Sequence, residues 1–86
     1  MLPHMEIRYS KAAASALMHM PTNTAKRIRA KIEQYAVDPA SLDNNIKRLR
    51  GGNEMRLRVG DWRVIFREDG VVLAIIRVAP RGAAYD

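Results

Sequence analysis

The sequence contains no cysteine, so neither a disulfide framework nor a thiolate metal site can stabilise its fold. The two histidines, His4 and His19, lie in different segments without a paired ligand spacing, and we therefore expect no metal and no cofactor. No apolar run approaches the roughly 20 residues that span a bilayer, and residues 1–10 lack the basic and apolar regions of a signal peptide. These absences predict a protein of the reducing cytoplasm that has no membrane partner.

Acidic residues are also scarce. Asp and Glu number 9 against 15 Lys and Arg, which gives the 86 residues a formal net charge of +6. Residues 47–81 hold nine basic and four acidic side chains, so most of the excess lies in that one stretch. Such a surplus favours a polyanionic partner such as a nucleic acid, or an acidic protein. At this length, with 48% hydrophobic residues, we expect one folded domain over residues 1–86.

The N-terminal half predicts one strand and two helices. The expected elements are a strand over residues 5–9, a helix over 11–20, a second helix over 24–37 and a loop over 38–45. Ser10 can cap the first helix, and Thr22 or Asn23 can cap the second. Apolar residues of the second helix recur at three- and four-residue steps, which predicts one buried stripe.

The C-terminal half predicts a series of strands joined by tight turns. We expect strands over residues 46–49, 54–59, 62–67 and 71–78, with turns at 51–53, 60–61 and 69–70. The last strand is apolar on both faces, so we expect it to lie inside the sheet. Together these elements predict an α+β fold: an N-terminal strand, a two-helix hairpin, and an antiparallel β-meander forming one sheet with the helices on one face.

Strict alternation separates apolar from basic residues in the middle of that sheet. If the apolar set faces the helices, four arginines emerge together on the open face: Arg56, Arg58, Arg63 and Arg67. Guanidinium groups on neighbouring strands repel one another, and mixed charges would serve solubility equally well. Because a guanidinium matches phosphate oxygens bidentately and keeps its charge, we predict a phosphate-binding surface rather than a merely solvated face.

The basic stretch also carries a recognisable pattern. It consists of Lys47–Gly52, then Met55–Phe66, then Val78–Arg81, with Tyr85 four residues further on. This pattern resembles the C-terminal half of RelE toxins in the RelE/ParE superfamily, whose elements follow the order predicted above. The resemblance implies a toxin of a type II toxin–antitoxin system that cleaves messenger RNA in the ribosomal A site. Such a metal-independent endoribonuclease would stop translation and arrest growth. Its partners would be the ribosome, with its RNA, the messenger and a cognate antitoxin.

The same resemblance implies roles for individual residues. Arg63 and Arg81 would stabilise the charge of the transition state as the substrate's 2′-hydroxyl attacks the adjacent phosphate, with Arg56 as a further catalytic cation. Tyr85 matches the family's C-terminal tyrosine and would stack on a base or transfer a proton. Arginine is too basic to accept a proton near neutrality, which leaves Glu54 as a second titratable candidate. The remaining predicted RNA-binding cations are Lys47, Arg48, Arg50, Arg58 and Arg67.

Two alternatives stay open. A ParE-like toxin would inhibit DNA gyrase as a protein ligand and would not be a nuclease. A catalytically impaired module would bind RNA or an antitoxin without cleaving anything. The second alternative follows from two departures from the RelE pattern: Glu54 stands where relatives carry a lysine, and Pro80 where many carry a basic or imidazole side chain.

Overall fold

Two helices pack on one face of a five-stranded sheet in the computed structural model, which describes residues 4–83. The strands are β1 (Glu6–Tyr9), β2 (Ile46–Arg48), β3 (Met55–Val59), β4 (Trp62–Glu68) and β5 (Val72–Pro80), and the helices are α1 (Lys11–His19) and α2 (Thr22–Val37). The predicted α+β class is confirmed. Within residues 4–83 no helix is both long and apolar enough to cross a membrane.

The sheet is mixed, with the order β1-β5-β4-β3-β2. Strands β2 to β5 form the expected antiparallel meander, and β5 lies inside the sheet as predicted. β1 runs parallel to β5 and pairs Glu6 with Val72 through Tyr9 with Ile75. The helical hairpin provides the crossover that a parallel pair needs, because it carries the chain from β1 across one face of the sheet.

The start of α2 and the segment after it differ from expectation. Pro21 occupies the N-cap position of α2 and makes no side-chain cap bond, so the prediction that Thr22 or Asn23 caps the helix is wrong. Pro21 suits this position because its fixed φ leads into a helix and no N–H is needed there. The predicted loop is a 3-10 helix over Pro39–Asn45. It forms because the Ser41 N–H and hydroxyl both donate to the Asp38 carbonyl, at 3.1 and 2.7 Å.

The core lies between the helices and the sheet. Its fully buried large side chains are Phe66, Ile28, Ile32, Leu57, Leu73, Ile75 and Val64. The Phe66 ring lies 4.8 Å from that of Tyr35, at a tilt of 59°. The Tyr35 hydroxyl donates to Glu68 Oε2 at 3.3 Å, and burial, helped by the Glu68 charge, raises the pKa of Tyr35 to about 12. The apolar sets that alternation assigned to the helix side of β3 and β4 are therefore in the core.

A β-bulge interrupts the pairing of β4 with β5. Ile65 faces Arg77, whereas its neighbour Phe66 faces Ile75, so Ile76 is the extra residue. Ser10, which lies between β1 and α1, binds the backbone of this bulge. Its N–H donates to the Ile75 carbonyl at 2.9 Å and its hydroxyl to the Ile76 carbonyl at 2.6 Å, while the same oxygen caps α1 by accepting from the Ala13 N–H at 3.0 Å.

Replacing Ser10 with alanine should therefore lower the free energy of unfolding by about 1–2 kcal/mol, since it removes both a helix cap and the partner of a bulge carbonyl. Urea denaturation followed by circular dichroism measures the change. The matched control is Ser15→Ala on the exposed face of α1, which should stay within about 0.5 kcal/mol of the parent. Equal stabilities of the two variants would contradict the assigned role of Ser10.

Candidate nucleic-acid interface

The face of the sheet away from the helices carries most of the basic side chains of the C-terminal half. Six of them define what we call the cation face: Lys47, Arg56, Arg58, Arg63, Arg67 and Arg77. Neighbouring strands lie about 4.8 Å apart, and alternate residues of one strand about 6.6 Å apart. The register therefore places these cations on a closely spaced grid rather than scattering them.

Two rows of directly paired residues organise the cation face. Arg58 on β3 lies opposite Arg63 on β4. In the next row, Lys47 lies opposite Arg56, Arg56 opposite Ile65, and Ile65 opposite Arg77. Like charges directly opposite one another destabilise a sheet. The Arg58–Arg63 pair therefore opposes folding unless an anion compensates it.

No carboxylate of the described residues neutralises this cluster. The single salt bridge within residues 4–83 joins Arg8 to Glu6 on the edge strand β1. Arg8 lies on the same side of the sheet, two strands away from Arg67, and the pair includes no member of the cation face. Burial lowers the pKa of Arg56 below its usual value, and the charges of Arg63 and Arg58 lower it further. Arg56 Nε is buried and has no hydrogen-bond partner in the described part of the chain. The uncompensated cations of this face fit an anionic ligand such as phosphate.

Arg63 differs from its neighbours because it is only 8% exposed. Its Nη1 donates to the carbonyls of Gly60, at 2.9 Å, and Trp62, at 3.0 Å, in the turn between β3 and β4. Gly60 has a φ of +58°, as the first position of a two-residue hairpin turn requires. Arg63 thus lies on the predicted face but also supports the turn, whereas Arg58 and Arg67 are exposed.

The centre of the cation face is apolar and covered. Ile65 and Ala79 form a small buried cluster there, and Leu49 and Ala83 pack against it. Leu49 belongs to the segment between β2 and β3, and Ala83 to the segment after β5, so the two segments approach each other across the sheet. The open face is therefore partly covered at its centre, and the expectation of a plain uncovered surface is corrected in this respect.

Arg77 is a member of the cation face that alternation alone missed. Regular alternation along β5 would place Arg77 on the same face as Leu73 and Ile75, which is the core face. The bulge at Ile76 shifts the count by one, so Arg77 lies opposite Ile65 and is exposed. One signal could have found it: a lone arginine in the buried register of an apolar strand indicates a change of register.

The other predicted RNA-binding residues are not all on this face. Arg48 lies opposite Met55 and thus on the helix side of β2, at the edge of the sheet. Arg50 is exposed in the turn between β2 and β3. A pocket of about 290 Å³ is lined by residues 49–54 together with Arg67. Arg48 lines a second pocket, of about 410 Å³, together with Arg67. Arg48 and Arg50 thus lie off the cation face, but each shares a pocket with Arg67.

Of the remaining predicted catalytic residues, Glu54, Arg81 and Tyr85, the two that the structure describes do not form one cluster. Glu54 lines the same pocket as Arg67, at the end of β3 remote from Arg58. Arg81 is exposed at the opposite end, where its backbone N–H donates to the Asp61 carbonyl at 2.7 Å. The structure thus places Arg81 at the end of the sheet that bears Arg63, and Glu54 at the other end. Tyr85 lies outside the described residues. Within residues 4–83, no group of three or more potential ligands could hold a metal ion.

Comparison with known proteins agrees with this architecture. Residues 7–85 match the model of a family described as the ParE toxin of the type II toxin–antitoxin system parDE. Toxin RelE3 of Methanocaldococcus jannaschii is 32% identical over 85 residues, which cover 95% of this chain and 97% of that protein.

Two solved structures have the same fold. The archaeal RelE–RelB complex from Pyrococcus horikoshii OT3 contains a chain that superposes with a TM-score of 0.79 at 24% identity, covering 95% of this chain and 100% of that one. The RelB–RelE antitoxin–toxin complex from Methanococcus jannaschii gives a TM-score of 0.71 at 30% identity, covering 91% and 94%. The chain therefore belongs to the ParE toxin family of type II toxin–antitoxin systems, within the RelE/ParE superfamily.

Proposed function

We propose that this toxin is a ribosome-dependent endoribonuclease that cuts messenger RNA in the ribosomal A site. The observation that carries the proposal is the cation face: six basic side chains on one sheet surface, with no carboxylate of the described residues in an ion pair with them. RNA phosphates would supply the missing counter-charge. The RelE toxins among the relatives support the same activity.

The proposed reaction uses the substrate's own nucleophile. The 2′-hydroxyl oxygen forms a bond to the adjacent phosphorus, and the bond from phosphorus to the 5′-oxygen breaks. The products are a 2′,3′-cyclic phosphate and a 5′-hydroxyl, so one proton leaves the attacking oxygen and one reaches the departing oxygen. The role assigned to Arg56, Arg63 and Arg81 is to stabilise the extra negative charge on the phosphate oxygens as the bonds exchange. This chemistry needs no metal.

Proton transfer falls to residues other than the arginines. Glu54 lines the same pocket as Arg67, but it lies at the other end of the sheet from Arg81. We therefore assign the proton transfers nearer Arg81 to Tyr85, which follows the Arg81 segment in the sequence. In this proposal, Glu54 accepts a hydrogen bond from a ribose hydroxyl and so helps to position the RNA strand.

A cognate antitoxin would hold the toxin inactive in the cytoplasm. The structures from Pyrococcus and Methanococcus are complexes of RelE with RelB, which supports a partner of the same kind here. An acidic or amphipathic segment of that antitoxin would compensate the cation face and exclude RNA from it.

Primer extension on messenger from cells that express the chain without its antitoxin tests the proposal. The expected result is a set of discrete cuts within codons, dependent on translation of the messenger. The ParE description of the family favours a second candidate, inhibition of DNA gyrase. That activity would leave messenger intact and induce DNA-damage signalling. Absence of both growth arrest and cleavage would instead indicate a catalytically impaired binding module.

A further inference from the structure

The segment after β5 is fixed to the sheet at two points. At its start, the Arg81 N–H donates to the Asp61 carbonyl at 2.7 Å. At the end of the described chain, Arg77 Nη2 donates to the Ala83 carbonyl at 2.9 Å. Between them the Ala83 N–H donates to the Pro80 carbonyl at 3.1 Å, and Gly82 adopts a φ of +90° that closes the turn. Arg81 therefore stands on a short segment with an anchor at each end.

The second anchor depends on the bulge in β5. Because Ile76 is an extra residue, Arg77 points to the cation face, where it can reach back to Ala83. Ser10 holds the bulge through the carbonyls of Ile75 and Ile76. Ala83 also packs on the buried pair formed by Ile65 and Ala79, so two independent contacts hold the same residue. Without the bulge, Arg77 would share the register of Leu73 and Ile75 and would lie on the core side of the sheet.

We propose that Arg77 is a positioning residue for RNA cleavage: its hydrogen bond to Ala83 holds the segment that presents Arg81 to the scissile phosphate. This inference rests on the proposed nuclease function. Arg77 would then act through Arg81 rather than on the phosphate itself. Loss of one charge-assisted hydrogen bond in such an arrangement corresponds to a rate decrease of about tenfold.

Two measurements on the full chain test this role. The first is ¹⁵N relaxation of the Gly82 and Ala83 amides in the free protein. We expect order parameters near 0.85 in the parent chain and below about 0.6 in Arg77→Ala, with recovery in Arg77→Lys. The second is messenger cleavage on programmed ribosomes. We expect Arg77→Ala to lower kcat about tenfold with KM changed less than about threefold, and Arg77→Lys to restore part of kcat.

Arg58→Ala is the matched control. Arg58 is an exposed arginine of the same face, and it makes no hydrogen bond to the Arg81–Ala83 segment. It should raise KM and leave the order parameters of Gly82 and Ala83 unchanged. Unchanged order parameters in Arg77→Ala would overturn the proposal, and so would a rise in KM at constant kcat, which marks a simple phosphate contact. If the parent chain cleaves nothing, the proposed nuclease function fails, and the relaxation measurement alone decides whether Arg77 anchors the segment.

Discussion

Replacing Arg81 with alanine should abolish growth arrest and lower the rate of messenger cleavage about 100- to 1000-fold, the usual loss when a preorganised donor to a developing oxyanion is removed. Arg81→Ala should perturb the fold little, because Arg81 is exposed and, among residues 4–83, only its backbone N–H makes a hydrogen bond. We therefore expect the free energy of unfolding to stay within about 0.5 kcal/mol of the parent value. Single-turnover cleavage on programmed ribosomes measures the chemical step directly.

The control for Arg81→Ala removes a cation from the other side of the molecule. Lys26→Ala lies on the exposed face of α2, lowers the net charge equally and should leave the cleavage rate unchanged. Arg81→Lys separates charge from geometry: it keeps the charge but loses the bidentate fork, so its rate should fall between those of the parent and Arg81→Ala. Full activity of Arg81→Ala would remove Arg81 from the reaction and with it the role proposed for Arg77.

Arg63 gives a less direct test of the same chemistry. Its guanidinium is nearly buried and donates to the Gly60 and Trp62 carbonyls, so Arg63→Ala removes a support of the hairpin turn together with a cation. A loss of activity in that variant would combine misfolding of the turn with loss of charge. Arg81 and Arg63 therefore cannot be compared through alanine variants without a stability measurement on each.

Local periodicity predicted the parts of this fold that depend on neighbouring residues. The i, i+3, i+4 steps of α2 and the alternation of β3 and β4 identified which side chains face the core, because those patterns follow from backbone geometry. Arg56, Arg58 and Arg63 were therefore assigned correctly to the face opposite the helices. The same reasoning could not reveal that β1 pairs in parallel with β5, since that contact joins residues more than sixty positions apart.

The features that were missed share a physical cause: each depends on contacts made only in the folded chain. Arg77 escaped because the bulge at Ile76 changes the register, and the bulge is held by Ser10 from the other end of the chain. Likewise, Leu49 and Ala83 are distant in sequence, but both pack on Ile65 in the folded chain. Local periodicity is enough to show which side chains face the core, whereas these features of the candidate site do not follow from it, and the core was therefore the easier part to predict.

Replacing Phe66 with alanine should have the largest effect on stability, a loss of about 3–5 kcal/mol in the free energy of unfolding. Phe66 is the largest fully buried side chain, packs against Tyr35 and lies opposite Ile75 beside the bulge. A domain of this size has a total stability of about 5–10 kcal/mol, so the variant should be partly unfolded at physiological temperature. Urea denaturation measures the loss, and Met18→Ala, at a side chain 79% exposed, should change little.

Phe66→Ala and Arg81→Ala should thus abolish growth arrest for different reasons, and the comparison separates folding from chemistry. Arg81→Ala should accumulate as folded protein that still binds an antitoxin, whereas Phe66→Ala should be degraded or insoluble. Phe66→Leu, which refills most of the volume, should recover both stability and arrest in part. If Phe66→Ala kept its stability, the packing of the helices on the sheet would be wrong. The assignment of the arginines to the cation face would then be in doubt as well, because the core and the cation face are opposite sides of the same strands.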